Sequence, residues 1–424
     1  MSNYLNEEGE PFDFDLLERE LSPLGVLPYS SHPITTMTTQ ADFTGALNLD
    51  IVAHMLPITV TQVTKKIRSK KKFQLDHYPI PGSILNSNYK KQHSGIVNST
   101  KTPMNHSIAM VMSIKDKNIT CKLYEDKLHM TGCKSLDHGR ETVWYLLNHL
   151  ARIKRILEWI YANEGKAREV IDSVASAVLG ETQVACVERE IDGRPYLLVE
   201  EYPGINQGPV SLPTIPADQI ELVDYLLFTR QRFTNHDLLK QQYHSLIQVA
   251  ELANTTHPIL SGPFECKHIS SHMVNHNNSL GFKVNREALN SVINGKYGFN
   301  SSFLIEFAAY VHIGLRYDTK LRTGVTLDGR LVPLPQTNPK KKKKEEHLHT
   351  IIVWNSGQVV QSGPETIMCR EAYLLFMKVV QDNVDIICAD CKYEEGGKVM
   401  YKHDSCCRRK TGQGLVDYRK SLGL

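Results

Sequence analysis

The spacing of apolar residues along this chain switches between a two-residue and a helical period, and the switches come in the same order in two separate stretches. From Pro33 to Leu47 the run ITTMTTQADFTGAL is rich in β-branched residues that suit a pleated surface, which predicts a strand, and Leu47 to Leu56 reads as a short helix. Strand character returns at His106 to Lys115, at Ile119 to Leu123 and at Lys127 to Thr131. Gly132 and the polar pair Lys134-Ser135 end it. Val143, Leu146, Leu147, Leu150, Ile153, Ile156, Leu157 and Ile160 then recur at helical spacing, so a long helix is expected over about 136–162.

The second stretch repeats this grammar. His268 to Asn275 reads as a strand, Phe282 to Ile293 as a strand end running into a helix, and Ala309 to Tyr317 as a further strand. The block Ile119 to Gly132 aligns with Thr350 to Gly363: a strand, a three-residue turn, a second strand and a hydroxyl-Gly stop. An Arg-Glu pair follows each block, Arg140-Glu141 before VWYLLNHL and Arg370-Glu371 before AYLLFMKVV. The shared order is strand, helix, strands, long helix.

The remaining segments divide the chain. Residues 1–32 mix acidic and apolar side chains and read as a flexible or partner-docking arm. Within the first unit, 33–162, residues 57–104 read as an excursion containing a basic run and Tyr78-Pro79-Ile80-Pro81-Gly82. Residues 163–262 read as an inserted α/β subdomain, with a hairpin turning at Asp192-Gly193 and helices from Ala217 to Ala253. The second unit, 263–382, carries an insertion at about 318–347, and 383–424 is a Cys-rich basic tail.

Composition narrows the class without naming a function. With 41% hydrophobic and 22% charged residues in 424, the chain is of ordinary globular type. No apolar run approaches the ~20 residues of a membrane span. The acidic start does not resemble a signal peptide, so an intracellular protein is expected, in the nucleus or a viral replication compartment. The net charge of +3 is small, yet positive charge is clustered at Lys65 to Lys72 and at Lys340 to Lys344, runs suited to phosphate contact or nuclear import and equally to solvated loops.

At LYEDKLHMTGCKS in the first copy and VWNSGQVVQSGPE in the second, together with His312-Ile313-Gly314-Leu315-Arg316-Tyr317, the chain resembles the TATA-binding protein family. The likeness covers about 33–162 and 264–382. It implies an α+β fold: a duplicated, curved antiparallel saddle with helices on its convex face and DNA in the minor groove on its concave face. In that family apolar side chains wedge between base steps, an indirect readout for which the family is a standard example.

Carried over onto this sequence, the family's groove positions fall on Thr36, Thr38, His272 and Val274 near the start of each copy. The wedge positions fall on His106, Leu123, His312 and Trp354, and the remaining concave-face positions on Cys121, Lys127, His129, Thr131, Ile352, Gln358, Val360 and Ser362. The family's Phe stands at none of the wedges. The implied activity is a transcription initiation factor: it binds double-stranded promoter DNA, recruits a general transcription factor or RNA polymerase subunits, and is a monomer with internal pseudo-symmetry. Two other readings are a protein-binding or virion scaffold module of the same fold, as in a large DNA virus, and a nucleic-acid-processing enzyme using the sheet as a platform.

No catalytic constellation is visible: no phosphate-cradling Gly-rich loop, no Gly-x-Ser-x-Gly and no His-Glu-x-x-His. No cofactor is expected beyond a structural zinc in the tail, where Cys388 and Cys391 have the C-x-x-C spacing of a tetrahedral site and His403 and Cys406 are candidate completing ligands.

Overall fold

A computed structural model describes residues 13–58, 63–66, 73–75, 81–90, 92–95, 106–114, 117–179, 184–191, 194–201, 218–230, 236–255, 264–297, 299–303, 309–316, 323–333, 348–389, 391–393 and 399–401. The first half contains α1 (Phe14–Leu21), β1 (Ile34–Phe43), α2 (Leu49–Met55), β2 (Val63–Lys66), β3 (Phe73–Leu75), β4 (Ile84–Tyr89), β5 (Gln92–Gly95), β6 (Ile108–Ile114), β7 (Lys117–Leu123), β8 (Lys127–Cys133) and α3 (Leu136–Ala162). After it come α4 (Glu164–Leu179), the hairpin β9 (Val184–Ile191) and β10 (Arg194–Glu201), α5 (Ile220–Arg230) and α6 (His236–Thr255). The second half contains β11 (Cys266–Ser279), α7 (Arg286–Gly295), β12 (Asn300–Ser302), β13 (Tyr310–Arg316), β14 (Thr323–Val325), β15 (Leu331–Pro333), β16 (Leu348–Trp354), β17 (Gln358–Gly363), α8 (Thr366–Asp382) and α9 (Val384–Ile387), before the short pair β18 (Cys391–Tyr393) and β19 (Val399–Tyr401).

One large antiparallel sheet joins the halves in the order β12-β13-β16-β17-β11-β1-β8-β7-β6-β4-β5, and β14 and β15 attach beside β11. At its centre β1 and β11 pair antiparallel over almost the whole length of β1. Read outward from that pair, β8, its hairpin partner β7 and then β6, β4 and β5 follow β1, while β17, its hairpin partner β16 and then β13 and β12 follow β11. The excursion expected over 57–104 therefore includes two strands of this sheet, because β4 pairs with β6 and β5 with β4.

Alternation along the strands decides which face is covered. Met37, Ala41 and Phe43 of β1, Met110 and Met112 of β6, and Leu128 and Met130 of β8 are buried in one core with Val143, Leu146, Leu150 and Leu157 of α3. In the second half Val311, Ile313, Ile351, Val353 and Val359 are buried in the same core with Leu289 and Ile293 of α7 and Ala372 and Phe376 of α8. Full burial of such side chains contributes roughly 1.5–3 kcal/mol each. α3 and α8 lie directly on the sheet, and α4 and α6 pack on the α3 side.

Capping fixes where these helices begin. The Asn48 and Asn285 side chains accept backbone N–H bonds at the starts of α2 and α7, and Ser135 does so for α3, satisfying donors the first turn leaves open. Of the arm expected to be flexible or partner-docking, residues 13–32 are described, and they pack on the second half. α1 is capped by Asp13 and buries Phe14, Leu17 and Leu21, and Arg370 of α8 reaches Asp15 at 2.6 Å and Glu18 at 2.5 Å. Tyr29, buried behind it, hydrogen-bonds His276 of β11 through its hydroxyl.

Candidate nucleic-acid interface

Residues between the buried positions project from the face opposite the helices, and the strand registers arrange them in rows. In the first half one row runs Val111, Thr120, Thr131, Thr38 and Met273, and the next runs Ala109, Lys122, His129 and Gln40 and ends at Ser270, which is buried. In the second half His312, Ile352, Val360 and Asn277 form one row, and Thr350, Ser362, Asn275 and Thr36 form another that ends at the centre. Hydroxyls and amides therefore occupy the middle. Aromatic groups stand towards the ends: Tyr310 beside Trp354 at 5.8 Å between ring centroids, and Tyr124 with the Lys127 ammonium 5.4 Å from its ring.

The sequence-derived positions divide accordingly. Thr36, Thr38, Lys127, His129, Thr131, His312, Ile352, Trp354, Gln358, Val360 and Ser362 alternate with the buried residues and lie on this open face. Cys121, Leu123 and Val274 do not. All three are fully buried on the helix side, and burial holds the Cys121 thiol well above its ordinary range. His106 is exposed in the turn before β6, beside Leu49, Asp50, Tyr89, Lys90 and Glu125.

The cause at β7 is a difference of one residue between two turns. In the first half Leu123 pairs with Leu128, whereas in the second Val353 pairs with Val359, so the second turn is longer by one residue. Equal turns in the sequence alignment slip the upstream strand by one position, and in a strand a slip of one exchanges the faces. In register the counterpart of Trp354 is Tyr124, that of Ile352 is Lys122, and that of Thr350 is Thr120. Counting alternation back from the Tyr124 N–H to Lys127 carbonyl bond that closes the turn is the signal that identifies them.

Val274 is displaced by an irregularity in β11. Thr38 pairs with Met273 but Thr39 with Ser271, which leaves His272 as an extra residue. His272 and Met273 are both exposed, and the His272 ring lies 5.8 Å from that of His129. Asp42, the carboxylate at the end of β1, is held by His268 at 3.0 Å and by the Gln40 amide at 2.8 Å. The His129 imidazole is held below its ordinary range by partial burial and by Lys127, with Asp42 opposing and Lys122 adding to the depression.

Of the zinc candidates, Cys388 is buried, and its backbone bridges to Val284. The side chain of Cys391, and all of His403 and Cys406, lie outside the described residues, as do the side chains of the Lys65 to Lys72 run and the whole of Lys340 to Lys344. Among the described residues no helix is long and apolar enough to cross a membrane.

No family model matches this chain, and no curated protein matches it. Among solved structures it is similar to the TBP of Methanococcus jannaschii, at 8% identity and a TM-score of 0.30, over 82% of this chain and 97% of that one.

Proposed function

We propose that this chain is a TATA-binding-protein-like initiation factor: a duplicated saddle that lays the open face of its sheet along the minor groove of promoter DNA and recruits transcription machinery through its helices. The observation that carries this reading is the division of the sheet into two unlike faces. One is apolar and packed beneath α3, α7 and α8. The other carries hydroxyl, amide, imidazole and ammonium groups interspersed with Ala109, Val111, Met273, Ile352 and Val360, and has an aromatic group towards each end. Hydroxyls, amides and cations suit the acceptor edges and negative potential of a minor groove. An aromatic group at the rim has the shape and polarity to wedge a base step. The hairpin beside each central strand, β7-β8 beside β1 and β16-β17 beside β11, and the Asn caps of α2 and α7 support treating the halves as copies about a pseudo-two-fold axis.

A scaffold reading has an observation of its own, because Trp144 and Tyr161 of α3 are half exposed on the helix layer, where a protein partner would cover them. Groove-specific competition separates the two readings. Duplex DNA preloaded with a minor-groove ligand should lose binding to this protein, while blocking the major groove should leave it intact. Binding insensitive to the minor-groove ligand would overturn the proposed mode.

A further inference from the structure

Near the middle of the open face two imidazoles meet. His129 stands on β8 between Lys122 and Gln40, and His272 reaches it, at 5.8 Å between ring centroids, from the irregularity in β11. A bulge of this kind re-aims one side chain out of the regular alternation. Facing the pair are Lys122 from β7, Tyr124 from the turn after it, Lys127 from the strand of His129, Gln40 and Asp42 from β1, and His268 from β11. The Asp42 carboxylate is engaged by His268, so the nearest anion is shared while two ammonium groups stand close by. In the free protein partial burial, and after it Lys127 and Lys122, disfavour an added positive charge on the His129 ring, against Asp42.

Duplex DNA would reverse that balance. A narrow minor groove concentrates negative potential from two phosphate chains, and His is among the side chains drawn into it. There the phosphate field opposes both the lysines and the burial penalty, and where it outweighs them an imidazolium is favoured. A neutral imidazole donates one hydrogen bond, whereas an imidazolium donates two, and A·T pairs offer acceptors in this groove where G·C adds an amino donor.

We propose, on the duplex-binding reading above, that the His129–His272 pair takes up a proton from solvent when DNA covers the face, so that binding is proton-linked and favours narrow, A·T-rich minor grooves. The sign follows from linkage. The bound state holds more protons, so affinity rises as pH falls through the bound-state titration and levels off once the free protein is also protonated.

The test is a binding titration of the full chain at pH 8 and pH 6, at fixed ionic strength, on A-tract and G·C duplexes, with calorimetry of the parent in two buffers of different ionisation enthalpy. The parent should bind A-tract DNA about three- to tenfold more tightly at pH 6, since one proton gives at most about tenfold per pH unit, and its binding heat should depend on the buffer. A His129→Gln, His272→Gln double variant should bind with a flat pH profile and a reduced A-tract preference. Duplex binding by the parent with neither pH dependence nor buffer-dependent heat would overturn the proton linkage and leave the DNA-binding reading standing. So would a double variant that keeps the parental pH slope. Absence of duplex binding at both pH values and low salt would overturn both.

Discussion

Residue by residue, alternation assigns different work to side chains that the sequence alignment had placed together. Leu123 is fully buried, so Leu123→Ala should cost about 2–5 kcal/mol of stability. Its effect should appear in a denaturant titration. Trp354 and its register counterpart Tyr124 lie on the open face. Trp354→Ala should therefore unfold at nearly the parental denaturant concentration while losing duplex affinity, more than Tyr124→Ala does, because the indole presents the larger apolar surface. Equal loss of stability in Trp354→Ala and Leu123→Ala would contradict the assignment of faces. A second residue-scale consequence concerns His349, whose imidazole is buried against Gly363 and Cys369 and pushed down from 6.5 to about 4 by that burial. Its contribution is present above about pH 6.5 and is lost as pH falls towards 4, because the unfolded chain takes up the proton first. Up to roughly 3 kcal/mol is at stake. Equilibrium unfolding at pH 7 and pH 4.5 should show a steeper acid loss in the parent than in a folded His349→Gln variant.

Among the elements, the strands and long helices are legible in the sequence because their apolar periods are long and clean. The α3 helix expected over 136–162 is observed as Leu136–Ala162, and the strand expected at Ala309 to Tyr317 as Tyr310–Arg316. What is not legible arises from single residues that periodicity does not resolve: the extra residue in the turn after Trp354 and the extra His272 in β11. Each changes which face a side chain occupies. The arm is a different case. Phe14, Leu17 and Leu21 at helical spacing behind Asp13 do signal α1, but the acidic composition of 1–32 points the other way until Arg370 is seen to gather that charge. Arg370 is about a quarter exposed, and Arg370→Ala should destabilise by about 1.5–3 kcal/mol, the range for hydrogen bonds to charged groups. Amide exchange should accelerate first over 14–21. An unchanged exchange pattern there would show that α1 is held by its apolar face alone. For the tail, the zinc proposal predicts that protein purified without added metal contains zinc, which is lost when Cys388 and Cys391 are replaced by Ser. Metal-free intact protein would end it.

For the whole molecule, the sheet is a platform with a covered and an open face, and the proposed function gives the open face to duplex DNA. Phosphate contacts and groove contacts leave different thermodynamic marks. Neutralised phosphates release counterions and set the slope of affinity against salt, while groove contacts set the dependence on base composition. The most direct measurement is a titration of the intact chain with duplexes of graded A·T content across a range of salt concentrations. The account predicts binding that weakens log-linearly with salt, tightens with A·T content at every salt concentration, and in Trp354→Ala loses affinity with little change of slope. A chain that binds no duplex at low salt, or binds all compositions alike with an affinity set by salt alone, would contradict it.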